Sequence, residues 1–317
     1  MPKDLKIYFT SDIHGSEKCF RKFLNAAKYY KADVIILGGD ITGKMLIPVV
    51  KRGAGRYVTH FHGNTIELEG DAELEEIQKQ IRWAGFYPYV CEQDEVDFLA
   101  SSEESKDELF NKLMMQSVGD WLTLAESRLR EAGIPCYMSP GNDDILQLDP
   151  ILQASDYIIC PDNRIVDLEG YEMLSYGYVN ETPWDSAREM SDEELGQHIQ
   201  EMAKGLRNPE RAIFNLHAPP YNTGLDVAPM LDKNFKPVVA GGEIQTAPVG
   251  SRSVRQLIEQ YQPLLALHGH IHESRASTRI GRSLSLNPGS EYGEGILHGA
   301  VVTLTPKGAK NHLLVIN

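Results

Sequence analysis

The sequence has few cysteines and no long apolar run. Its 317 residues include four cysteines that lie far apart and form no CxxC pair, namely Cys19, Cys91, Cys136 and Cys160. Neither a disulfide framework nor a thiolate zinc site is therefore indicated. No stretch reaches the roughly eighteen consecutive apolar residues that a membrane-spanning helix requires. We expect a cytoplasmic protein with reduced thiols and without a membrane as partner.

Positive charge is also scarce. The chain carries 31 Lys and Arg residues against 45 Asp and Glu residues, which gives a formal net charge of −14. Residues 67–108 alone contain fourteen acidic and three basic residues. Proteins that bind nucleic acids gain much of their affinity from Lys and Arg side chains that neutralise phosphates. The composition therefore argues against a nucleic-acid polymer as partner, and we interpret the acidic segment as the solvated face of helices.

Short strand-like segments alternate with helical patterns along the chain. Six segments rich in β-branched and aromatic residues lead into clusters that contain Gly, Asn, Asp or His: LKIYFT, ADVIILG, IPCYMS, AIFNL, PLLAL and SLSLN. Between the first two, four apolar residues have the spacing of an amphipathic helix, namely Phe20, Phe23, Leu24 and Ala27. Start and stop signals predict further helices around 106–132, 191–204 and 253–262. A hairpin pattern around Glu169-Gly170 and two strand-like segments at the end complete the pattern of a layered α/β domain with a mixed sheet.

One region departs from this alternation. About a hundred residues separate Asp40 from Pro140, which is more than a single crossover between strands requires. The region contains a predicted hairpin, RYVTHFHGNTIELE, with its turn at Gly63-Asn64, and the acidic helical segment. We interpret residues 43 to about 105 as an insertion over the strand ends, and residues 1–317 as a single domain.

Metal-binding residue types follow five of the strand signals. The donors are carboxylate or amide oxygens and imidazole nitrogens, at Asp12, His14, Asp40, Asn142, His217, His270 and His272. Taken singly, they could be turn residues, caps or core histidines. Ligands of open α/β sheets bind beyond the carboxyl ends of strands, and this donor set suits Mn, Fe, Zn, Ni or Co. Seven donors are too many for one tetrahedral ion, and they fit two divalent ions that share a bridging carboxylate, as in phosphoryl chemistry.

The order of these motifs, D-x-H, GGD, GN, H and GHxH from residue 12 to residue 272, resembles the calcineurin-like metallophosphoesterase superfamily. The resemblance implies an α/β fold of four layers, a mixed β-sandwich flanked by helices. It implies that Asp40 bridges two ions and that a hydroxide between them is the nucleophile. One ion would be held by Asp12, His14 and His272, and the other by Asn142, His217 and His270. His268 has no ligand role in this pattern, and we expect it to support the site or the core.

The sequence departs from the family pattern at one position. Many members have a histidine after the Asn ligand, where it can donate a proton to the leaving group, whereas here the sequence reads PGNDD. An ionised Asp143 at this position would donate no proton and would repel a phosphate dianion, which favours a phosphodiesterase on a small or nucleotide-like substrate. His60 and His62 on the predicted hairpin are alternative proton donors if the insertion folds over the site, or else they are exposed hairpin residues.

Three other functions remain open at this point. The same fold can serve as a non-catalytic scaffold for protein contacts, as a phosphomonoesterase or as a nuclease. The complete ligand set argues against the scaffold, the missing histidine against the monoesterase, and the net charge against the nuclease.

Overall fold

Two six-stranded sheets form the centre of the protein, for which a computed structural model describes residues 4–317. The first sheet contains, in spatial order, β22 (Gly308–Ile316), β21 (His298–Thr305), β1 (Leu5–Thr10), β2 (Val34–Leu37), β7 (Cys136–Met138) and β8 (Ile158–Ile159). The second contains β19 (Ala276–Ile280), β20 (Ser283–Asn287), β18 (Leu265–Leu267), β13 (Ile213–Leu216), β10 (Tyr171–Tyr176) and β9 (Arg164–Leu168). The six strands predicted from apolar segments are β1, β2, β7, β13, β18 and β20.

Both sheets are mixed. In the first sheet β1, β2, β7 and β8 are parallel, while β21 and β22 run antiparallel at one edge. In the second sheet β10, β13, β18 and β20 are parallel, while β9 and β19 are antiparallel edge strands. The parallel strands of each sheet therefore place their carboxyl ends along a single edge, where ligand sites of α/β proteins form.

The inner faces of the two sheets pack against each other and form one apolar core. Ile7, Phe9 and Ile36 of the first sheet belong to the same buried cluster as Met173 and Leu267 of the second. Successive side chains of a strand point to opposite faces, so the residues between them, such as Tyr8 and Ile35, face outward into a second cluster. Each sheet thus has two apolar faces and requires a cover on its outer side.

Helices cover both outer faces. On the first sheet lie α1 (Glu17–Tyr30), α4 (Glu103–Ala132) and the short α5 (Asp149–Leu152); on the second lie α6 (Asp192–Ala203) and α7 (Arg252–Tyr261). The rings of Phe20 on α1 and Trp121 on α4 stack with their centroids 4.3 Å apart. Ser191 and Glu194 form a capping box at the start of α6, where the sequence predicts a helix. The expected four layers, helix, sheet, sheet and helix, are confirmed.

Residues between β2 and α4 form a smaller unit with its own core. It consists of β3 (Leu46–Lys51), β4 (Arg56–Phe61), β5 (Asn64–Glu69), α2 (Gly70–Trp83), β6 (Tyr87–Cys91) and α3 (Gln93–Ser101). The four strands form a sheet in the order β5-β4-β3-β6, and Ile77 and Ile81 of α2 pack in its apolar cluster. We continue to interpret this unit as an insertion into a single domain, and call it the insertion below.

The predicted turn of the β4-β5 hairpin is wrong by one residue. The two turn residues are His62 and Gly63, with φ angles of 49° and 76°, and Asn64 is already paired with Phe61. Two-residue hairpin turns with positive φ at both positions match the right-handed twist of the strands, and this selects the observed turn.

Small elements that the sequence did not predict connect the layers. They are β11 (Val179–Asn180), β12 (Glu189–Met190), β14 (Val227–Pro229), β15 (Val239–Ala240), β16 (Glu243–Ile244), β17 (Thr246–Pro248) and the 3₁₀ turns Leu146–Leu148, Pro209–Arg211 and Tyr292–Glu294. Among residues 4–317, no helix combines the length and the apolar character needed to cross a membrane.

Candidate metal centre

The seven side chains expected to bind metal lie together at the carboxyl ends of the parallel strands. Asp12 and His14 follow β1, Asp40 follows β2, and Asn142 follows β7; the second sheet contributes His217 after β13 and two histidines after β18. Donor atoms within 4.8 Å of one another form two groups, one of Asp12, His14, Asp40 and His272, and one of Asp40, His217 and His270. Asp40 belongs to both groups, as expected of a bridging ligand.

In the first group the donors form a compact set, in which all but His272 are buried. The Nε2 atoms of His14 and His272 are 2.9 Å apart, and His14 Nε2 is 3.5 Å from Asp40 Oδ2. His272 Nε2 is 3.6 Å from Asp12 Oδ1. Two nitrogens that each lie about 2.1 Å from one ion would be roughly 3.0–3.4 Å apart, so these spacings are close to those of a coordination shell.

The second group has the same character. His217 Nε2 is 3.3 Å from Asp40 Oδ2 and 3.7 Å from Asp12 Oδ1. His270 Nδ1 lies 2.8 Å from Asn142 Oδ1, which adds the amide oxygen to this group. The Asn142 amide nitrogen donates to Ser186 Oγ at 2.9 Å, so its orientation leaves the oxygen directed at His270.

Several of these residues have a left-handed backbone. The φ angles are 57° for Asp12, 37° for His14, 50° for Asp40 and 70° for His270. Non-glycine residues rarely adopt this conformation, which costs on the order of 1 kcal/mol or more and persists only where the surroundings enforce it. Here His14 N donates to Asp40 O at 3.0 Å and His270 N donates to Asp12 Oδ1 at 2.9 Å. The bends direct successive side chains of each loop into the centre.

Two glycines allow the strand-end loops to approach the donors closely. A Cβ atom at Gly39 would lie 2.3 Å from His217 Nδ1, and one at Gly141 would lie 2.3 Å from Asp40 Oδ1. Gly39 also has a φ of 140°, which L side chains rarely adopt. Any larger residue would displace a donor, so the glycines of the GGD and GND motifs are required by close contact.

The buried carboxylate of Asp144 connects two of these loops. Its Oδ2 accepts from Ile41 N at 3.0 Å and from Gly141 N at 2.8 Å, and its Oδ1 accepts from Thr42 N at 2.9 Å and Thr42 Oγ1 at 2.6 Å. The loop after β2 is thereby fixed to the loop after β7. Asp144 thus positions Asp40 and Asn142 without being a donor to the centre itself.

Burial and mutual charge shift the pKa values in opposite directions. Burial raises the pKa of Asp40 to about 6, although the neighbouring His217 opposes the shift. Burial alone would lower the pKa of His217, but the charge of Asp40, whose Oδ2 lies 3.3 Å from Nε2, raises this pKa to about 9. Burial lowers the pKa of His270 to about 3 and that of His14 well below its usual value. His14 and His270 are therefore neutral, the form that binds metal ions, whereas His217 would release a proton when metal binds.

The donors fit divalent cations. Within the described part of the chain, the buried atoms Asp12 Oδ2 and His217 Nε2 have no hydrogen-bond partner. Unpaired buried polar atoms are rare and carry a cost that coordination of a cation would remove. The oxygen and nitrogen donors, with no sulfur among them, are those of borderline divalent metals. The centre can therefore hold divalent metal ions; two ions per chain and their identity stay predictions.

Asp143 is paired with a lysine that sequence reasoning missed. Its carboxylate forms an ion pair with Lys44 Nζ and lies 3.7 Å from His14 Nδ1, while its backbone N donates to Asp40 Oδ1 at 3.0 Å. Burial would lower the pKa of Lys44, but the charge of Asp143 raises it, so the ammonium stays protonated. The sequence feature that could have identified this lysine is its position, four residues after Asp40 in the same loop.

The other two candidate catalytic histidines lie on the hairpin. His60, on β4, is exposed, and its Nδ1 is 2.9 Å from Thr65 Oγ1 of the neighbouring strand. His62 is in the turn, and its ring centroid lies 4.0 Å from that of Phe61. His62 therefore does not belong to the strand that carries His60. The contacts found for these side chains are within the hairpin and do not include the metal-binding residues.

Three further side chains surround the centre. The Tyr292 ring lies 4.6 Å from the His14 ring, and Ser186 orients Asn142. His268 is buried, and its Nδ1 donates to the carbonyl oxygens of Leu216 at 2.9 Å and Ala218 at 3.0 Å. These bonds fix the loop that carries His217, so His268 supports the site, as the sequence predicted. Sequence patterns gave no signal for Ser186 or Tyr292, because both are distant in sequence from the residues that they contact.

Comparison with known proteins agrees with this geometry. The family model described as calcineurin-like phosphoesterase matches residues 5–274. An uncharacterized protein of Methanocaldococcus jannaschii is 32% identical over 152 residues, a match that covers 47% of this chain and 61% of that protein. The crystal structure of the Thermus thermophilus protein TT1561 gives a TM-score of 0.55 at 15% identity, with 99% of both chains covered. At this identity the likeness shows a shared fold.

Replacement of Asp40 with Asn should disturb both donor groups, because its carboxylate belongs to both. After reconstitution with Mn²⁺, elemental analysis should give two equivalents for the unmodified protein and fewer than one for Asp40→Asn. Phosphoester hydrolysis should fall by more than about 100-fold, beyond the effect typical of residues that only support ligands. Asp97→Asn, at an exposed carboxylate on α3, is the control and should change neither value. Full metal content in Asp40→Asn would contradict the shared-ligand arrangement.

Replacement of Asp144 with Asn should weaken the fold and the metal centre together. The side-chain NH₂ of the introduced Asn would face backbone N–H groups that now donate to a carboxylate oxygen. The loss of these hydrogen bonds should lower the free energy of unfolding by roughly 2–4 kcal/mol. Thermal unfolding and Mn²⁺ titration should show a lower Tm and about 10–100-fold weaker binding. Thr42→Val, which removes only one of the four hydrogen bonds, should have a smaller effect on both. Unchanged metal affinity in Asp144→Asn would show that the loops hold their positions without this carboxylate.

The double substitution His60→Ala and His62→Ala should leave the metal centre intact, because the contacts found for both side chains are within the hairpin. We expect kcat to stay within about threefold of the unmodified value, the range usual for exposed residues away from a site. Steady-state kinetics with several phosphoesters measures this. A uniform large loss of kcat at unchanged metal content would identify one of the two histidines as a proton donor.

Proposed function

Because the chain belongs to the calcineurin-like phosphoesterase family, we propose that it is a metal-dependent hydrolase of phosphoesters with a preference for small phosphodiesters. The observation that carries the preference is the Lys44–Asp143 ion pair beside the metal-binding residues. Asp143 occupies the position at which many members of the family have the histidine that can donate a proton to the leaving group.

The protein's contribution to the reaction follows from the arrangement of its donors. Bound divalent cations would neutralise charge on phosphoryl oxygens and lower the pKa of a coordinated water towards neutrality. Asp40 and the four imidazoles would hold such cations, and the loops fixed by Asp144 and His268 keep these donors in place before substrate binds. Preorganised donors of this kind need not rearrange during the reaction, which favours catalysis.

The ion pair gives the site a cation but no proton donor. A carboxylate that pairs with an ammonium accepts hydrogen bonds and has no proton to give, and Lys44 stays protonated because its pKa is raised. Its ammonium is a point charge with three N–H donors, suited to one phosphoryl oxygen. Lys44 thus binds and orients the phosphoryl group, while the leaving group must depart without a proton from this pair.

Two effects on substrate choice follow, and they oppose each other. Without a proton donor, esters with poor leaving groups react slowly, and activated diesters, which carry one negative charge, are favoured. The charge of Lys44 offsets that of Asp143, so the repulsion of a phosphate dianion is weaker than for an isolated carboxylate. The absence of the proton donor therefore supports the diester preference more strongly than charge does.

The same lysine favours a second candidate, a phosphomonoesterase. An ammonium beside the metal-binding residues would stabilise a dianionic monoester. A non-catalytic scaffold is less well supported, because such a protein has no need for seven clustered donors, five of them buried and four with a left-handed backbone. The choice between diester and monoester is therefore the point to test.

The diester preference should appear with bis(p-nitrophenyl) phosphate and p-nitrophenyl phosphate. The unmodified protein should have the higher kcat/KM for the diester. Asp143→His, which removes a carboxylate that repels a phosphate dianion, should shift the ratio towards the monoester by about 10-fold, equal to about 1.4 kcal/mol of transition-state stabilisation. Lys44→Met should shift it the other way, because the dianion loses more from removal of the ammonium.

Lys79→Met is the matched control, since Lys79 is an exposed lysine that pairs with Glu76 on α2. It should leave the ratio unchanged. If the unmodified protein prefers the monoester and Asp143→His leaves the ratio as it was, with metal content constant, the protein is a phosphomonoesterase. If no ester is hydrolysed by the metal-loaded protein, the proposal of a phosphoesterase is overturned.

A further inference from the structure

An apolar cleft lies in the insertion next to the metal centre. It has a volume of about 470 Å³ and lies between β3, α3 and α4. Its wall includes Met45, Leu46, Val96, Leu99 and Phe110, and Lys44 also lines it. Sites for small organic ligands typically have volumes of about 300–1,000 Å³ and mostly apolar walls with a few polar groups.

Lys44 connects this cleft to the metal-binding residues. The residue lines the cleft, while its Nζ contacts the Asp143 carboxylate, and the Asp143 backbone N donates to Asp40 Oδ1 at 3.0 Å. A phosphoryl group that contacts the Lys44 ammonium would therefore have the apolar cleft beside it. One molecule could occupy both places if it joins a phosphate to an apolar group.

Phe110 of the cleft wall is connected through Tyr87 to the loop that carries Lys44. The Phe110 ring packs edge-on against the Tyr87 ring, with 5.6 Å between centroids, and the Tyr87 hydroxyl accepts from Gly43 N at 2.8 Å. Gly43 directly precedes Lys44. The backbone next to Lys44 is thus held beside the cleft, which favours binding of one ligand at both places.

The cleft wall is open to solvent in its present state. Met45 is 51% exposed, and Leu46, Val96, Leu99 and Phe110 are half-buried. Among the residues that line the cleft, charge is limited to Lys44 and to Lys106 and Asp107 on α4. Contact of an apolar group with these side chains would remove apolar surface from water, which favours binding by roughly 25 cal/mol per Å².

We propose that this cleft binds an alkyl or aryl ester group of the substrate, so that the substrate class is phosphoesters of hydrophobic alcohols. Lys44 holds the phosphoryl group at one end, and the insertion selects for the apolar group. This inference rests on the proposed phosphoesterase activity and adds the identity of the ester group. It also assigns a role to the insertion, which has no part in the predicted metal binding.

The test uses p-nitrophenyl methyl, butyl and hexyl phosphates, which share one leaving group and differ in the length of the second ester group. For the unmodified metal-loaded protein, kcat/KM should rise by about 10-fold or more from methyl to hexyl, since each buried methylene can contribute up to about fourfold. Leu99→Gln and Met45→Gln should reduce this rise to less than about threefold.

The control is Phe98→Gln, next to Leu99 on the same helix. Phe98 is 60% exposed and does not line the cleft, so this substitution should keep the full dependence on chain length. Calorimetric titration with methyl phosphate and hexyl phosphate gives a readout without turnover. The hexyl ester should bind about 10-fold more tightly to the unmodified protein and to Phe98→Gln, and this advantage should be lost in Leu99→Gln.

Each other outcome contradicts the inference in a distinguishable way. Hydrolysis of all esters without dependence on chain length overturns the cleft assignment and leaves the phosphoesterase proposal in place. A dependence that persists in Leu99→Gln and Met45→Gln places the ester group elsewhere. A dimer that Leu99→Gln dissociates would show that a second copy of the chain occupies the cleft. No hydrolysis of any ester, with metal bound, overturns the phosphoesterase proposal itself.

Discussion

The arrangement of the centre depends on the Asp144 carboxylate. Its two oxygens accept four hydrogen bonds, from two successive residues after β2 and from Gly141 after β7. These bonds join loops that lie about a hundred residues apart in the chain, and each loop carries a metal-binding side chain next to the bonded residue. A buried carboxylate is costly unless its oxygens are paired, so this part of the protein has one well-satisfied arrangement. This arrangement sets the positions of Asp40 and Asn142, so these donors are in place before any ion binds.

The donor set is, in turn, poorly balanced without a cation. Two buried carboxylates and four imidazoles share a small volume, and several of them have a left-handed backbone. In this state, a protonated His217 supplies part of the missing positive charge, since the neighbouring Asp40 raises its pKa to about 9 against the effect of burial. A divalent cation would replace that proton and pair the unpaired atoms. The strain and unpaired groups lie at the site, while the sheets around it are regular, which is the usual distribution in a functional centre.

The fold and the donor set could be read from the sequence because both depend on local patterns. The alternation of apolar residues predicts β1, β2 and β13, and each donor follows such a segment directly, so the carboxyl ends of parallel strands bring the donors together. The hairpin turn was placed one residue too late, since Gly63-Asn64 is as good a turn sequence as His62-Gly63 and only the strand pairing decides between them. Lys44, Ser186 and Tyr292 were missed because their roles are set by contacts between distant segments. No local periodicity reports such contacts.

The Asp143–Lys44 pair shows why the departure from the family motif cannot be interpreted alone. An acidic residue beside a cluster of carboxylates would raise the local negative charge and oppose phosphate binding. In this chain the lysine that compensates for it lies at the first turn of the insertion, four residues after Asp40, and its raised pKa keeps it charged. The insertion therefore begins with the residue that restores the charge balance of the centre. Because the same lysine also lines the apolar cleft, the change at the metal centre and the shape of the insertion are physically coupled. A variant without the insertion would also lack Lys44, the partner of Asp143. The effects of the cleft and of the ion pair on substrate choice can therefore be separated only by substitution of single residues.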